Sequence, residues 1–397
     1  MSYPPPHGHQ GPPAQYSHAP MPVAPVQVAP VRTTEAAVRR GGGVITAWIL
    51  LGVAALVMAG FLLLAVGPAA TVVSGLLGLI PLAICLVGLR WVDRWDPEPA
   101  RWVILALLWG GGAATFGSLI IEGLVGAALN LGETASAVVL APVVEEVMKG
   151  LGVLLLVLVA RRYFHGPVDG IVYGGLIGAG LAFTENILYL SSALQDGSVL
   201  QTWVGRGLLG PFAHVLFTAW TGAAVGWATE RRRGLIFPAW LGGLVLAILG
   251  HALWNGLASN LLFGNFLVGY AVLQVPFFVG AVITCVLLAR RERRLTKDSL
   301  QAYTQAGWYL PQEAVALSTP AMRRESLRWA AKRGARPQMK SVIRTADALA
   351  AEHQRIRARG PEPELLSHQA ELLQRSLSAR ESLRGAVAHG PGGWTAS

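Results

Sequence analysis

The chain has 397 residues, of which 53% are hydrophobic and 14% charged, and its mean hydropathy is +0.48. A soluble domain carries about 25% charged residues, and a disordered chain combines low hydrophobicity with high charge. The composition therefore excludes both classes for the chain as a whole and indicates a polytopic membrane protein.

The net charge of +10 is unevenly distributed along the chain. Residues 41–289 are nearly neutral, whereas residues 290–397 hold nineteen Lys or Arg and ten Asp or Glu. So basic a chain could bind nucleic acid, but the bias is typical of cytoplasmic segments of membrane proteins, and we expect no nucleic-acid partner. Cys85 and Cys285 lie inside apolar stretches, which predicts neither a disulfide framework nor a thiolate metal site.

Eight apolar stretches follow an N-terminal tail. Residues 1–40 are rich in Pro, Gly, His and Gln, which predicts a disordered cytoplasmic tail without the features of a signal peptide. From Val44 onward, eight stretches approach the ~20 residues needed to cross a bilayer. They are 44–66, 69–89, 102–129, 136–160, 170–193, 203–229, 235–258 and 266–289. We predict an all-α polytopic membrane protein with about eight transmembrane helices.

Arginines alternate between the connecting segments and predict the orientation of the chain. The segments 90–101, 161–169 and 230–234 and the start of the C-terminal tail contain arginines, whereas the other connections contain no Lys or Arg. By the positive-inside rule, both termini are expected on the cytoplasmic side of the plasma membrane. The membrane domain then covers residues 41–289. Residues 290–397 form a basic helical tail, broken near 360–363, that is either solvated or bound to anionic lipid.

Ionisable side chains inside the spans are expected to mark a functional site, because each costs roughly 2.5–3.5 kcal/mol at the bilayer centre. They are Glu122 in the third span, Glu145, Glu146 and Lys149 in the fourth, Glu185 with Asn186 in the fifth, Arg206 and His214 in the sixth, and His251 with Asn255 in the seventh. Glu122 and Arg206 lie near span ends, where an interfacial position is expected.

The depth of these groups indicates one shared site. At ~1.5 Å per residue, Glu145, Glu185, His214 and His251 are expected in one layer. This layer lies slightly toward the outer face from the midplane of a hydrocarbon core about 30 Å thick. Lys149 follows Glu145 by four residues and Glu146 by three, so it can pair with either. Acidic groups outnumber basic ones in this layer. The excess must be protonated or neutralised. Shared protons or a divalent metal held by Glu and His would serve equally well.

Read in order, these residues resemble the PrsW family of intramembrane metalloproteases, distant relatives of the CAAX-processing membrane proteases. The matching features are Asp93-Arg94-Trp95-Asp96-Pro97-Glu98-Pro99, Glu145-Glu146-x-x-Lys149, Phe183-x-Glu185-Asn186, His214 and His251-x-x-x-Asn255, which cover about residues 90–256. The resemblance implies a glutamate- and histidine-lined site that hydrolyses a peptide bond of membrane-anchored proteins. The known family example is an anti-sigma factor cut on its extracytoplasmic side.

The expected chemistry assigns provisional roles to the site residues. Glu145 and Glu146 are the general base and its support, in either order, with Lys149 holding the pair ionised. Glu185, His214 and His251 are candidate ligands of a divalent metal, with zinc the first choice. Asn255 is a candidate oxyanion donor. A metal-free variant, in which Glu and His activate water directly, stays open.

Two other classes of function compete with a protease. A proton- or cation-coupled transporter would use the same carboxylates, but it predicts inverted repeats, and the polar residues concentrate in the fourth to seventh spans. A scaffold or sensor with an inactive site is the third hypothesis, and the intact set of Glu and His argues against it.

Overall fold

A computed structural model describes residues 34–95, 97–160, 164 and 166–388. Residues 1–33 of the predicted tail 1–40, as well as Asp96, Arg161 and Arg162, lie outside the described residues, whereas the last residues of that tail belong to a helix that begins at Thr34. The described part is helical and contains no strand. Its helices are α1 (Thr34–Ala65), α2 (Pro68–Val92), α3 (Ala100–Ala128), α4 (Ala141–Val159), α5 (Pro167–Asp196), α6 (Val199–Arg231), α7 (Ile236–Ala258), α8 (Phe266–Gln305), α9 (Pro311–Ser318), α10 (Pro320–Ala331), α11 (Arg336–Arg359) and α12 (Pro363–Ala388).

Seven helices in the described part are long and apolar enough to cross a membrane, namely α1 over Ile45–Ala65, α2, α3 and α5 to α8. The prediction of an all-helical polytopic membrane protein is confirmed. The fourth predicted span corresponds to α4, which has 19 residues and carries Glu145, Glu146 and Lys149. Helix α4 thus carries three charged residues, whereas the apolar stretch of each of the seven carries two at most. Its place as an eighth span stays a prediction.

Helix α5 lies at the centre of the membrane domain and packs against α2, α3 and α6. Most of its apolar length is buried inside the protein. A face of small residues on α5 permits this packing. A methyl group on Gly174 or Gly178 would collide with the backbone of Thr218 or His214 on α6. Glycine at these positions therefore lets the two backbones approach each other closely.

Several of the helices contain a π-helical turn, which often marks a functional site. Such turns lie at Trp109–Ala114 in α3, Ser136–Leu140 before α4, Val204–Leu209 in α6 and Tyr270–Gln274 in α8. Helix α6 is interrupted after its π-helical turn, at residues 210–212, and continues as regular α-helix from Ala213 to Arg231. Pro211 lies in this interruption, and its carbonyl oxygen accepts a hydrogen bond from Cys85. The polar groups of α6 lie on both sides of the break.

The C-terminal residues pack into a helical domain with its own core. Leu300, Tyr303, Ala346, Leu349 and Leu372 are among the buried residues of this core. The break expected near 360–363 lies between α11 and α12, where Gly360 has a φ of 91°. No helix ends at the domain boundary expected at residue 290. Helix α8 continues to Gln305 through Arg, Glu and Lys, which are good helix formers.

Candidate active site

The four residues expected at one depth lie close together in the structure, and Glu146 and Lys149 of α4 join them. Helix α4 contributes Glu145, Glu146 and Lys149, α5 contributes Glu185, α6 contributes His214, and α7 contributes His251. Salt-bridge or hydrogen-bond contacts connect all six. One turn of α4 therefore faces single residues from three neighbouring helices.

Lys149 lies at the centre of this cluster, and its side chain is fully buried. Its Nζ is 2.5 Å from Oε1 of Glu146 and 3.5 Å from Oε2 of Glu145. It also lies 3.2 Å from Nδ1 of His214. An ammonium has three hydrogens to donate and no acceptor. The sequence predicted that Lys149 could pair with either Glu145 or Glu146, and in the structure it contacts both.

Glu146 forms the first of two carboxylate–imidazole pairs. Its Oε1 is 3.0 Å from Nδ1 of His251, and its Oε2 accepts a hydrogen bond of 3.1 Å from the hydroxyl of Thr218. Because a carboxylate only accepts, this contact assigns the imidazole proton to Nδ1 and leaves Nε2 as the basic nitrogen. Phe217 stacks on the His251 ring at 5.2 Å between centroids and restricts its tilt.

Glu185 forms the second pair, with His214. The Oε2 atom of Glu185 is 2.8 Å from Nε2 of His214 and 2.7 Å from Nη2 of Arg206. The imidazole proton is therefore assigned to Nε2, which matches the donation from Lys149 into Nδ1. The two rings meet edge to face with centroids 4.9 Å apart. Each imidazole is thus oriented by a carboxylate that itself pairs with a basic side chain.

Arg206 contacts residues of this site, and its expected position near the membrane interface stays a prediction. Its Nε donates to Oδ1 of Asn186 at 2.8 Å, and its guanidinium lies 4.0 Å from the centroid of the Tyr189 ring. Residue depth alone could not reveal this contact, because the π-helical turn of α6 determines which way residue 206 points. The structure brings the charge of Arg206 into contact with Glu185.

Glu145, His214 and His251 form a group whose possible metal-ligand atoms all lie within 4.8 Å of one another. This set differs from the predicted one, because Glu145 takes the place of Glu185, whose Oε2 is already engaged by Arg206 and His214. Two imidazoles and one carboxylate are donors of known catalytic zinc sites, which leave a fourth position open. Imidazoles backed by carboxylates are also typical of such sites.

The fit of this donor set to a metal has one condition. Lys149 donates to Nδ1 of His214 and lies near Glu145, so it shares two of the three donors a metal would use. A metal would have to displace those two contacts, while the salt bridge between Lys149 and Glu146 involves no atom of the set. Three carboxylates face two basic groups in the cluster, and a divalent cation would offset this excess. The residues therefore fit a metal.

Two predicted or considered residues lie outside this network of contacts. The amide of Asn255 donates to the carbonyl oxygen of Ala137 at 2.7 Å, in the π-helical turn that precedes α4. Its expected role as an oxyanion donor stays a prediction. Among the described residues, none forms a hydrogen bond with the buried Oε1 of Glu122. It lies within electrostatic range of Glu185 and Lys149.

Thr218 is a site residue that the sequence reasoning missed. It is fully buried and donates to Glu146. Its position four residues after His214 places both on one face of α6, and this spacing was the available signal. A threonine in an apolar helix is common, however, and its hydroxyl can also bond to its own backbone, so the spacing alone is not specific.

The acidic loop of the predicted motif lies away from the cluster. Its Asp93 accepts a hydrogen bond from the backbone of Glu98, and Glu98 accepts one of 2.5 Å from the hydroxyl of Tyr173. Tyr173 and Glu185 are twelve residues apart on α5, or about 18 Å along the helix. The loop therefore anchors the opposite end of the helix that carries Glu185.

Sequence comparison relates the chain to known proteins. The model of the PrsW family, described as intramembrane metalloproteases, matches residues 98–281. Protease PrsW of Clostridioides difficile (strain 630) is 30% identical over 190 residues, which is 45% of this chain and 76% of the relative. Protease PrsW of Geobacillus kaustophilus (strain HTA426) is 31% identical over 153 residues, which is 38% of this chain and 65% of the relative. No solved structure matches the chain significantly.

Proposed function

Because the chain belongs to the PrsW family of intramembrane proteases, we propose that it hydrolyses a peptide bond of membrane-anchored proteins near the outer side of the membrane. The observation that carries the proposal is the pairing within the buried cluster. Two imidazoles are each oriented by a carboxylate, and both lie beside a third carboxylate, that of Glu145. Such a set of a base and oriented imidazoles is what peptide hydrolysis requires.

The contacts favour different roles for the two adjacent glutamates. Glu146 is fully buried and contacts Lys149, His251 and Thr218, so we assign it to orienting His251. Glu145 has a looser contact of 3.5 Å with Lys149. We therefore assign Glu145 to the reacting water, either as the base or as a ligand that holds the water in place. Lys149 keeps the cluster compact by bridging both glutamates.

A divalent metal, with zinc the first choice, would be held by Glu145, His214 and His251. When bound, such an ion supplies Lewis-acid polarisation of the carbonyl and lowers the pKa of water. Glu146 and Glu185 then keep the two imidazoles in their assigned tautomers. Asn255 stays the proposed oxyanion donor, since its amide carries two N–H donors and the contact with Ala137 uses one.

The substrate class follows from the position of the site. The cluster lies among helices that are apolar enough to span a membrane, which favours a substrate segment that is itself anchored in the bilayer. We propose a single-span protein as the substrate, with an anti-sigma factor as the first to test. We also propose the plasma membrane as the location, with both termini cytoplasmic. The comparisons give no support to the transporter alternative.

Co-reconstitution with a single-span test protein, labelled on both sides of the membrane, tests the proposal. We expect the wild-type chain to cleave it and Glu145→Gln and His251→Ala to lower the rate about 10²–10⁴-fold. Glu133→Gln is the matched control, because this exposed glutamate precedes the same helix outside the cluster. Cleavage that survives both cluster substitutions would overturn the assignment.

A further inference from the structure

Arg206 lies on a segment that is held from two sides. It belongs to the π-helical turn Val204–Leu209 of α6. Immediately before this turn, the indole of Trp203 donates to the carbonyl oxygen of Leu77 on α2 at 3.2 Å. At its end, the hydroxyl of Tyr270 on α8 donates to the carbonyl oxygen of Leu209 at 2.9 Å. These contacts restrict how far the backbone of residue 206 can move.

The guanidinium of Arg206 makes three contacts with one face of α5. Its Nη2 reaches Glu185 at 2.7 Å and its Nε reaches Asn186 at 2.8 Å, while the ring of Tyr189 lies beneath it. The planar fork of arginine suits such simultaneous donation. An arginine that merely extended toward interfacial water would not pair with two adjacent residues of a neighbouring helix.

Arg206 and His214 both donate to the same oxygen of Glu185. The direction of this carboxylate therefore depends on both donors. Without the guanidinium, Glu185 would keep one hydrogen bond and could rotate about its side-chain torsions. The His214 ring would then lose the fixed acceptor that holds its proton on Nε2 and its Nδ1 toward Lys149.

We propose that Arg206 is a positioning residue of the active site, which holds Glu185 in the orientation that fixes the tautomer and ring direction of His214. The proposal rests on the proposed function. It predicts that Arg206 acts on turnover rather than on substrate binding, because its effect is transmitted through Glu185 and His214. At 25% exposure, its side chain is the most accessible of the charged groups in this network.

The experiment compares Arg206→Ala, Arg206→Gln and Arg206→Lys in the full chain, with the single-span test protein as the probe. Leu208→Ala is the matched control, because Leu208 lies on the same π-helical turn and is exposed. We expect Arg206→Ala to lower kcat about 10–100-fold with KM changed less than about twofold. Arg206→Lys should recover part of this loss, since it retains the charge but not the fork.

A second measurement does not depend on cleavage. The ¹⁵N spectrum of histidine-labelled protein, assigned at His214 with a His214→Gln variant, reports which ring nitrogen carries the proton. The wild type should show a single Nε2–H form, and Arg206→Gln should show a mixture of tautomers. If the wild type cleaves nothing, the proposed function fails, but the spectrum still tests whether Arg206 fixes the tautomer of His214. An unchanged spectrum, unchanged kcat, or a rise in KM alone would overturn the positioning role. Arg206→Gln keeps the test valid if Arg206→Ala unfolds.

Discussion

Adjacent glutamates on one helix can have different chemistry when their surroundings differ. Glu145 and Glu146 point about 100° apart around α4. Glu146 meets the buried hydroxyl of Thr218 and the ring of His251, whereas Glu145 faces His214. The assignment of roles therefore depends on which neighbouring helix each glutamate faces.

Replacing Thr218 tests whether the full set of partners around Glu146 matters. Thr218→Val removes the donor to Oε2 of Glu146 and keeps the side-chain shape. We expect a loss of about 1.5–3 kcal/mol in the free energy of unfolding and a lower kcat, while Thr218→Ser retains both. Thermal unfolding in detergent and cleavage assays provide the measurements.

Thr221→Val is the matched control for this substitution. Thr221 is also fully buried on α6, and its hydroxyl has no hydrogen-bond partner among the described residues. Its replacement should be neutral or stabilising, because no hydrogen bond is lost. Equal effects of the valine at both positions would show that the contact with Glu146 contributes nothing.

Metal removal distinguishes a metal-dependent mechanism from direct activation of water by Glu and His. The donor set of Glu145, His214 and His251 predicts about one divalent ion per chain, with lower content in His251→Ala. Chelation should abolish cleavage, and added Zn²⁺ should restore it. Elemental analysis of the purified protein measures the content independently of activity. Full activity in a metal-free preparation would instead support direct activation of water by Glu and His.

The glycines of α5 act at the scale of whole elements. Gly174 and Gly178 face the backbone of α6 at Thr218 and His214, so the closest approach of the two helices lies beside the site itself. Glu185 follows two turns after Gly178 on the same helix. The contact between Glu185 and His214 therefore depends on a helix separation that only glycine permits.

Gly178→Ala is expected to lower the free energy of unfolding by about 1–3 kcal/mol, because the added methyl group would collide with the carbonyl of His214. Cleavage should fall as well, since separating α5 from α6 lengthens the contact between Glu185 and His214. Thermal unfolding and cleavage assays measure the two effects. Gly242→Ala on α7 is the control, because no other group lies within 4 Å of the added methyl. Indistinguishable behaviour of the two variants would contradict the close-packing argument.

At the scale of the whole molecule, arginines of the C-terminal domain bind the membrane domain through main-chain oxygens. Arg323 donates to Trp95, Arg355 to Phe164 and Arg359 to Thr229. Arg323 also forms a buried ion pair with Asp347 and stacks on the ring of Trp95 at 3.6 Å. The basic tail is thus a docked domain, and part of its positive charge is used inside the protein.

Arg323→Ala should release this docking, because it removes the contacts of Arg323 with Trp95 and its buried ion pair with Asp347. Breaking such a pair costs about 3–5 kcal/mol. Limited trypsin digestion of the full chain should then cut the C-terminal domain faster. Arg324→Ala provides the comparison, since Arg324 is exposed. A digestion rate equal to that of the wild type in Arg323→Ala would exclude a docking role.

Much of the fold and site follows from linear properties of the chain. Apolar segment length predicts the spans, and the rise per residue places Glu145, Glu185, His214 and His251 at one depth. Helical periodicity predicts that Lys149 can reach either glutamate. These properties depend only on distance along a helix axis, so sequence is sufficient to predict them.

The pairing of side chains across helices was decided by the tertiary structure. Rotation of each helix about its axis selects Glu146 for His251, Glu185 for His214 and Arg206 for Glu185. It also selects Glu145 over Glu185 for the group that could hold a metal. These choices depend on glycine contacts and π-helical turns that change rotation without changing depth. The sequence by itself determined which residues share a layer, and packing determined which of them touch.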